Sequence, residues 1–273
     1  MELGRRTLIM GVLNVTPDSF SDGGEFFSPH RAIERALAME AEGADIIDIG
    51  GESTRPGARP VSVEEELDRV MPVIESLVGR VSVPLSIDTR KYEVARRALR
   101  AGVEILNDVS GLRQDIRLAD LAGQWGAALI IMNMRGRPET MQKIPPSPDI
   151  FAEIEAHFEW AVAEATTRGV AREQLLLDPG IGFGKTVEQN CALINHLDRF
   201  ARFNLPLMIG TSRKTFIGKI LDKPPEERLM GTAASVVAAI FRGVHIVRVH
   251  DVREMKDVVA VADAILNASG DGC

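Results

Sequence analysis

At 273 residues, with 45% hydrophobic and 26% charged side chains, the chain fits a soluble globular protein with a sizeable core. A net charge of −7 argues against a nucleic-acid-binding surface, which is normally basic. It leaves room for a small anionic substrate, because a few converging cations and backbone N–H groups outweigh distant surface charge.

Apolar runs and helix-like stretches alternate along the chain. The run 8–13 stops at Asn14, and helical spacing follows over 30–42. The run 46–49 leads to Glu52 and Arg55, then to a helix over 63–78. Ser62 ahead of Glu64, Glu65 and Glu66 marks that helix start by capping and by the dipole. The run 85–87 ends at Asp88 before a helix over 91–101, and the run 105–106 ends at Asn107 before one over 115–125. The run 129–132 ends at Asn133 before a helix over 149–168, and 175–177 ends at Asp178 before one over 186–198. The run 207–209 leads to Ser212 and Lys214, with the next helix over 231–242. The run 246–249 leads to His250 and a last helix over 252–268. Gly43, Gly102, Gly126, Gly169 and Gly243 sit where helices should stop.

Strands that read as continuous apolar runs are buried on both faces, and parallel strands need helical crossovers. Eight strand–helix units are what a (β/α)8 TIM barrel requires, with its site at the C-terminal ends of the strands. The competing doubly wound sheet usually has fewer strands and a G-x-G-x-x-G turn after the first. Here Asn14-Val15-Thr16-Pro17-Asp18 opens a long polar loop without that fingerprint. The proline-rich tracts 143–149 and 222–227 are short and the alternation continues past them, so residues 1–273 are expected to form one domain. Arg5-Arg6 before an apolar stretch resembles a signal peptide only until Asn14, Pro17 and Asp18 interrupt it. No apolar run approaches the roughly 20 residues of a membrane helix, and Cys191 and Cys273 suggest neither a disulfide framework nor a metal knuckle. The expected location is cytoplasmic.

The strand ends of a barrel face a common pocket, which gathers Asn14, Thr54, Arg55, Asp88, Asn107, Asn133, Asp178, Ser212, Lys214, Arg248 and His250. Any single Asp or Asn among them is as readily a turn former or helix cap. Asp88 and Asp178 directly end apolar runs, so each should be half-buried and matched by a partner, such as the N–H edge of a flat ligand. Arg248 and His250 alternate with Val247 and Val249, which puts both on one face of the last strand. With Arg55 they form a candidate anion site, and Asn14 is free to help hold a metal ion on the anion's oxygens. The segment 178–186 ends in Gly-Lys-Thr, but Pro179 stands where a P-loop needs its first glycine. Glycine-rich backbone after a buried Asp reads better as chain passing close to a flat ligand, with Phe183 as a cover. Cys191 has no base near it and reads as a buried structural thiol, and His30, His157, His196 and His245 show no metal-ligand spacing.

The segments MGVLNVTPDSFSDGG (10–24), GADIIDIGGESTRPGA (43–58), SIDTRK (86–91), ILNDVSG (105–111), LLLDPGIGFGKT (175–186), IGTSRKTFIG (209–218) and GTAASVVAAIFRGVHIVRVHDV (231–252) resemble dihydropteroate synthase, in family order. The resemblance implies a cytosolic barrel enzyme of folate biosynthesis, usually a homodimer. It would join 6-hydroxymethyl-7,8-dihydropterin diphosphate to p-aminobenzoate, giving 7,8-dihydropteroate and pyrophosphate. It implies that Asp88, Asn107, Asp178 and Lys214 read the pterin edge, with Met132 and Phe183 as apolar walls. Asn14 corresponds to the Mg²⁺ contact, and Asn14, Arg55, Arg248 and His250 to the diphosphate ligands. Thr54, Pro56, Phe183 and Ser212 correspond to positions around p-aminobenzoate. Asp88, Lys214, Arg55, Arg248 and His250 would carry catalysis, and loops 15–29 and 51–61 would close over the substrates.

The implied mechanism is dissociative: diphosphate leaves first, and the weakly nucleophilic amine of p-aminobenzoate attacks the exocyclic methylene cation. Sulfonamides are expected ligands as aminobenzoate mimics. Asn133 departs from the pattern, since many relatives carry histidine there. Two other readings compete. A pterin-dependent methyltransferase barrel should lack the lysine of the Ser-Arg-Lys motif, and a non-catalytic paralogue would not need the diphosphate set.

Overall fold

A computed structural model describes residues 3–16, 29–55 and 57–268. Pro56, most of loop 15–29 and Cys273 lie outside these described residues. Eight strands are found among them: β1 (Leu8–Asn14), β2 (Ile46–Gly50), β3 (Leu85–Asp88), β4 (Ile105–Asp108), β5 (Ala128–Met132), β6 (Leu175–Asp178), β7 (Met208–Ile209) and β8 (Ile246–Val249). They form one parallel sheet in the order β6-β5-β4-β3-β2-β1-β8-β7. The two ends of that order meet at a parallel bridge between Leu177 and Leu207, where the Leu177 N–H donates to the Pro206 carbonyl at 3.0 Å. The sheet is therefore a nearly closed TIM barrel, and its seam lies between β6 and β7.

The described helices are α1 (Pro29–Glu42), α2 (Val63–Leu77), α3 (Tyr92–Ala101), α4 (Arg117–Trp125), α5 (Ile150–Thr167), α6 (Val187–Asn195), α7 (Thr215–Leu221), α8 (Leu229–Ile240) and α9 (Val252–Leu266). Ser62 caps α2 as expected, accepting from the Glu65 N–H at 3.1 Å. Glu66, in the same acidic first turn, is fully buried. The helix expected over 186–198 stops at Asn195 and continues as a 3-10 segment, Leu197–Phe203. Leu197, Phe200 and Phe203 recur every three residues and all are buried, which suits three residues per turn. The stretch after β7 also holds α7, which the sequence reading did not anticipate. That helix ends at Asp222, whose φ of 54° is left-handed, just before Pro224 and Pro225.

Most of the core lies between the strands and the surrounding helices. A second apolar cluster, including Leu8, Ile46, Ile105, Ile130, Leu176 and Ile246, fills the lower barrel interior. Alternate residues of a strand share a face, so a step of two from this floor lands on the next inward layer. The step takes Ile46 to Asp48, Ile105 to Asn107, Ile130 to Met132, Leu176 to Asp178 and Ile246 to Arg248. Polar side chains are thereby stacked on an apolar plug.

Candidate active site

Three carboxylates and a guanidinium occupy the centre of that layer. Asp48, Asp88 and Asp178 are buried, and Asn107 is buried beside them. Arg248 donates from Nε to Asp48 Oδ2 at 2.6 Å and from Nη2 to Asp88 Oδ2 at 2.9 Å. Asn107 Nδ2 donates to the same Asp48 Oδ2 at 2.9 Å. Burial pushes the Asp88 carboxyl up to about 7, with Arg248 opposing and Asp48 adding to the shift. Burial likewise raises Asp178, against the pull of Lys214 and a hydrogen bond of 2.7 Å from the Gly180 N–H. Both carboxylates are more deeply buried than the half-buried position expected of them.

Lys214 enters from the other side. Arg213, with a left-handed φ of 57°, turns the chain into α7. The Arg213 N–H donates to the Thr232 hydroxyl at 3.0 Å and its Nε to Asp251 at 3.0 Å, so surrounding groups hold the unfavourable backbone in place. The Lys214 ammonium donates to the Ile181 carbonyl and lies 4.5 Å from the centre of the Phe183 ring. Burial lowers Lys214 to about 8, Asp178 and Asp88 opposing and Arg248 adding. Phe183 packs against an apolar cluster of Val109, Met132, Met134 and Met141. Met132 and Phe183 thus belong to one wall.

The glycine-rich loop is tied down by Lys185. Its buried ammonium donates to the carbonyls of Asn133 at 3.1 Å, Gly180 at 2.9 Å and Phe183 at 3.3 Å, and to Asn133 Oδ1 at 3.1 Å. Burial lowers it to about 7, despite the attraction of Asp178. Gly180 has φ 68°, and a Cβ there would lie 1.9 Å from the Asn133 carbonyl oxygen, so only glycine fits. Asn133 also bonds His157 Nδ1 at 3.1 Å, and His157 Nε2 reaches the Gly111 carbonyl at 2.9 Å. Asn133 therefore joins α5 to the loop and does not face a ligand.

At the mouth, the Ser212 hydroxyl accepts from the His250 N–H at 3.2 Å and pairs with His250 Nδ1 at 3.0 Å. Burial lowers His250 to about 3, with Arg248, Arg213 and Arg55 reinforcing the shift. Burial thus favours the neutral form of this ring. In the tautomer whose Nδ1 accepts from the Ser212 hydroxyl, Nε2 carries the ring proton and is a hydrogen-bond donor. Ser212 is committed to His250. Asn14 and Thr54 are half-buried, and Arg55 is exposed with no hydrogen bond or ion pair from its guanidinium to any described residue. Arg248 does not stand out with Arg55, since it is turned in toward the acids.

Glu52 anchors the loop that carries Thr54 and Arg55. It is buried and accepts from Arg90 at 2.9 Å and Lys91 at 3.0 Å, and Lys91 also pairs with Glu66. Burial pushes the Glu52 carboxyl up, but the hydrogen bonds from Arg90 and Lys91 outweigh it and leave the group lowered. The sequence reading assigned no role to Asp48, Lys185, Arg90 or Lys91. Asp48 left one signal, a carboxylate inside the apolar run 46–49. Cys191 is exposed, which corrects its reading as a buried thiol, because this face of α6 lines a surface groove.

A family model for pterin binding enzymes matches residues 10–250. The dihydropteroate synthase of Synechocystis sp. is 51% identical over 263 residues, covering 96% of this chain and 91% of that protein. A Clostridium difficile dihydropteroate synthase solved in the presence of pteroic acid superposes with a TM-score of 0.91 at 46% identity, covering 97% of this chain and 98% of that one. The Xanthomonas albilineans enzyme with 4-aminobenzoic acid gives 0.90 at 42% identity, covering 97% and 94%. The chain belongs to the dihydropteroate synthase family of pterin-binding enzymes.

Proposed function

We propose that this chain joins 6-hydroxymethyl-7,8-dihydropterin diphosphate to p-aminobenzoate, giving 7,8-dihydropteroate and releasing pyrophosphate. The observation that carries this reading is the buried acceptor set of Asp88, Asp178 and Asn107 Oδ1 with the lysine donor Lys214 beside it. An aminopyrimidinone edge presents adjacent N–H donors beside a ring oxygen and nitrogen, and that pattern complements the set. The relatives solved with pteroic acid and with 4-aminobenzoic acid support it. The diphosphate set and Lys214 together favour a synthase over a methyl-transferring barrel or a mere binder.

Met132 and Phe183 would form an apolar wall against the pterin ring. Arg55, one remaining Nη1 of Arg248 and the Nε2–H of His250 would donate to the diphosphate, with Thr54, Pro56, Phe183 and Ser212 around p-aminobenzoate. The exocyclic C–O bond breaks and its electron pair leaves with the diphosphate, whose growing charge the preorganised donors stabilise. The amine lone pair then forms the C–N bond, and its proton passes to solvent. Excluding water from the site would protect the methylene cation. Asn14 would contribute an amide oxygen to Mg²⁺. That fits an ion that dehydrates reluctantly and binds through one or two protein groups, waters and substrate phosphates. When bound, it neutralises charge on the leaving diphosphate.

Residues 1–273 are read as one pterin-binding domain, supported by a single sheet that runs from β1 to β8. A homodimer is supported by exposed Ile220, Leu221, Met230 and Phe241 beside a groove of about 700 Å³ between α6, α7 and α8. Among the described residues no helix is long and apolar enough to cross a membrane, and a cytoplasmic location is proposed. Sulfonamides should compete with p-aminobenzoate.

The purified protein should release pyrophosphate only when the pterin diphosphate, p-aminobenzoate and Mg²⁺ are all present. A folded preparation that releases none above background would sink the reading. Titration of Asp88 adds a pH signature. Only the ionised carboxylate accepts two donors, so pterin affinity measured by calorimetry should strengthen as pH rises through about 7 and weaken below it. Stability should move the other way. Between its ordinary value of 3.8 and about 7 the folded carboxyl holds a proton the unfolded one has lost, so this group's contribution falls as pH rises across that window.

A further inference from the structure

Asp48 is assigned to no substrate itself, yet it bonds a residue from each half of the site. It is fully buried, and its Oδ2 takes two hydrogen bonds, from Arg248 Nε at 2.6 Å and from Asn107 Nδ2 at 2.9 Å. A carboxylate can only accept, so the orientation of the Asn107 amide is settled: the NH₂ group faces Asp48 and the oxygen faces away. That oxygen, Asn107 Oδ1, is buried and has no hydrogen-bond partner among the described residues. A buried amide oxygen left unpaired costs about 1–3 kcal/mol, so it demands a donor from whatever fills the pocket. Register strengthens the point. Asn107 lies opposite Asp88 across β3 and β4, so its side chain stands on a strand position beside another acceptor. Arg248 supplies the positive charge that lets Asp48 stay buried without competing for the Asn107 oxygen.

We propose that Asp48 is a positioning residue that sets substrate specificity: by gripping the Asn107 amide it makes position 107 an acceptor, so the pocket admits a ring edge bearing an N–H there and rejects one bearing an oxygen. The proposal rests on the pterin reading above and names how one contact of that site acquires its polarity. An asparagine at position 48 would remove the constraint, because two facing amides can pair in either sense. Asn107 could then turn its NH₂ into the pocket.

The test compares binding of 6-hydroxymethylpterin with binding of its 2-oxo analogue, the corresponding lumazine, by calorimetry. Wild type should strongly prefer the pterin, and Asp48→Asn should reduce the preference about tenfold, the scale of one buried hydrogen bond. A purely structural role would weaken both ligands in proportion and leave the ratio unchanged. Asn107→Ala should reduce the ratio by a similar factor, and the double variant should reduce it no further than either single change, since both act through one contact. An unchanged ratio in folded Asp48→Asn protein, or reductions that multiply in the double variant, would overturn the proposal. If Asp48→Asn does not fold, an unchanged ratio in Asn107→Ala alone overturns it. Wild-type protein that binds neither compound refutes the pterin reading itself, a different outcome from a preference that survives substitution.

Discussion

Replacing Arg248 with alanine is expected to lower kcat by about 10²–10³-fold, the scale seen when one preorganised group is removed from developing negative charge. Affinity for a pterin lacking the diphosphate should stay within about tenfold of wild type, because the guanidinium lies against Asp48 and Asp88 and the ring edge is read by the acids and Lys214. Steady-state kinetics paired with calorimetry on the diphosphate-free pterin separate the two effects. Equal losses in both would mean that Arg248 positions the ring or supports the fold. The variant also leaves two buried carboxylates without their shared cation, which should cost roughly 3 kcal/mol or more of stability, visible in a denaturant melt.

Asp88→Asn should show the opposite division. An amide presents one acceptor where the carboxylate presents two, and hydrogen bonds to a charged group contribute about 1.5–3 kcal/mol each. Pterin affinity should therefore fall by about 10²–10³-fold, with the pH dependence around 7 removed along with it. The fold should tolerate this change better than the loss of Arg248. Arg248 keeps its 2.6 Å bond to Asp48, and the substitution deletes a carboxyl that burial already disfavours in its charged form. Retained affinity would show that Asp88 serves only as a counter-ion for Arg248.

The barrel and the polar strand ends were legible because parallel strands buried on two faces leave unbroken apolar runs, and the residue after each run is where the chain meets the pocket. Asn14, Asp88, Asn107, Asp178 and His250 all follow that rule. Asp48 escaped because it lies within its run, where a carboxylate is visible only to a count of inward and outward positions. Lys185 escaped for a different reason. The failed P-loop spacing correctly excluded a phosphate-binding lysine, but its actual partners are carbonyls from two segments that meet only when β5 and β6 are paired. The preference of His250 for its neutral form was not legible, because it comes from burial, reinforced by Arg248. Cys191 was misjudged because the lack of a nearby base says nothing of burial, and its face of α6 lines an outer groove.

The seam between β6 and β7 gives the barrel an asymmetry with mechanical meaning. Seven of the eight strand junctions are regular ladders, while here a single bridge at Leu177 and Leu207 joins the edges. Asp178 stands on one lip of this gap and Lys214 on the chain that leaves the other, and the Lys214 bond to Ile181 already crosses it. A flat molecule bound between the acid and the lysine would act as one more rung, inserted at the height where the protein's own ladder stops. The cylinder would then be a complete hoop only with its cargo aboard, and substrate recognition and the stiffening of the wall would be a single event.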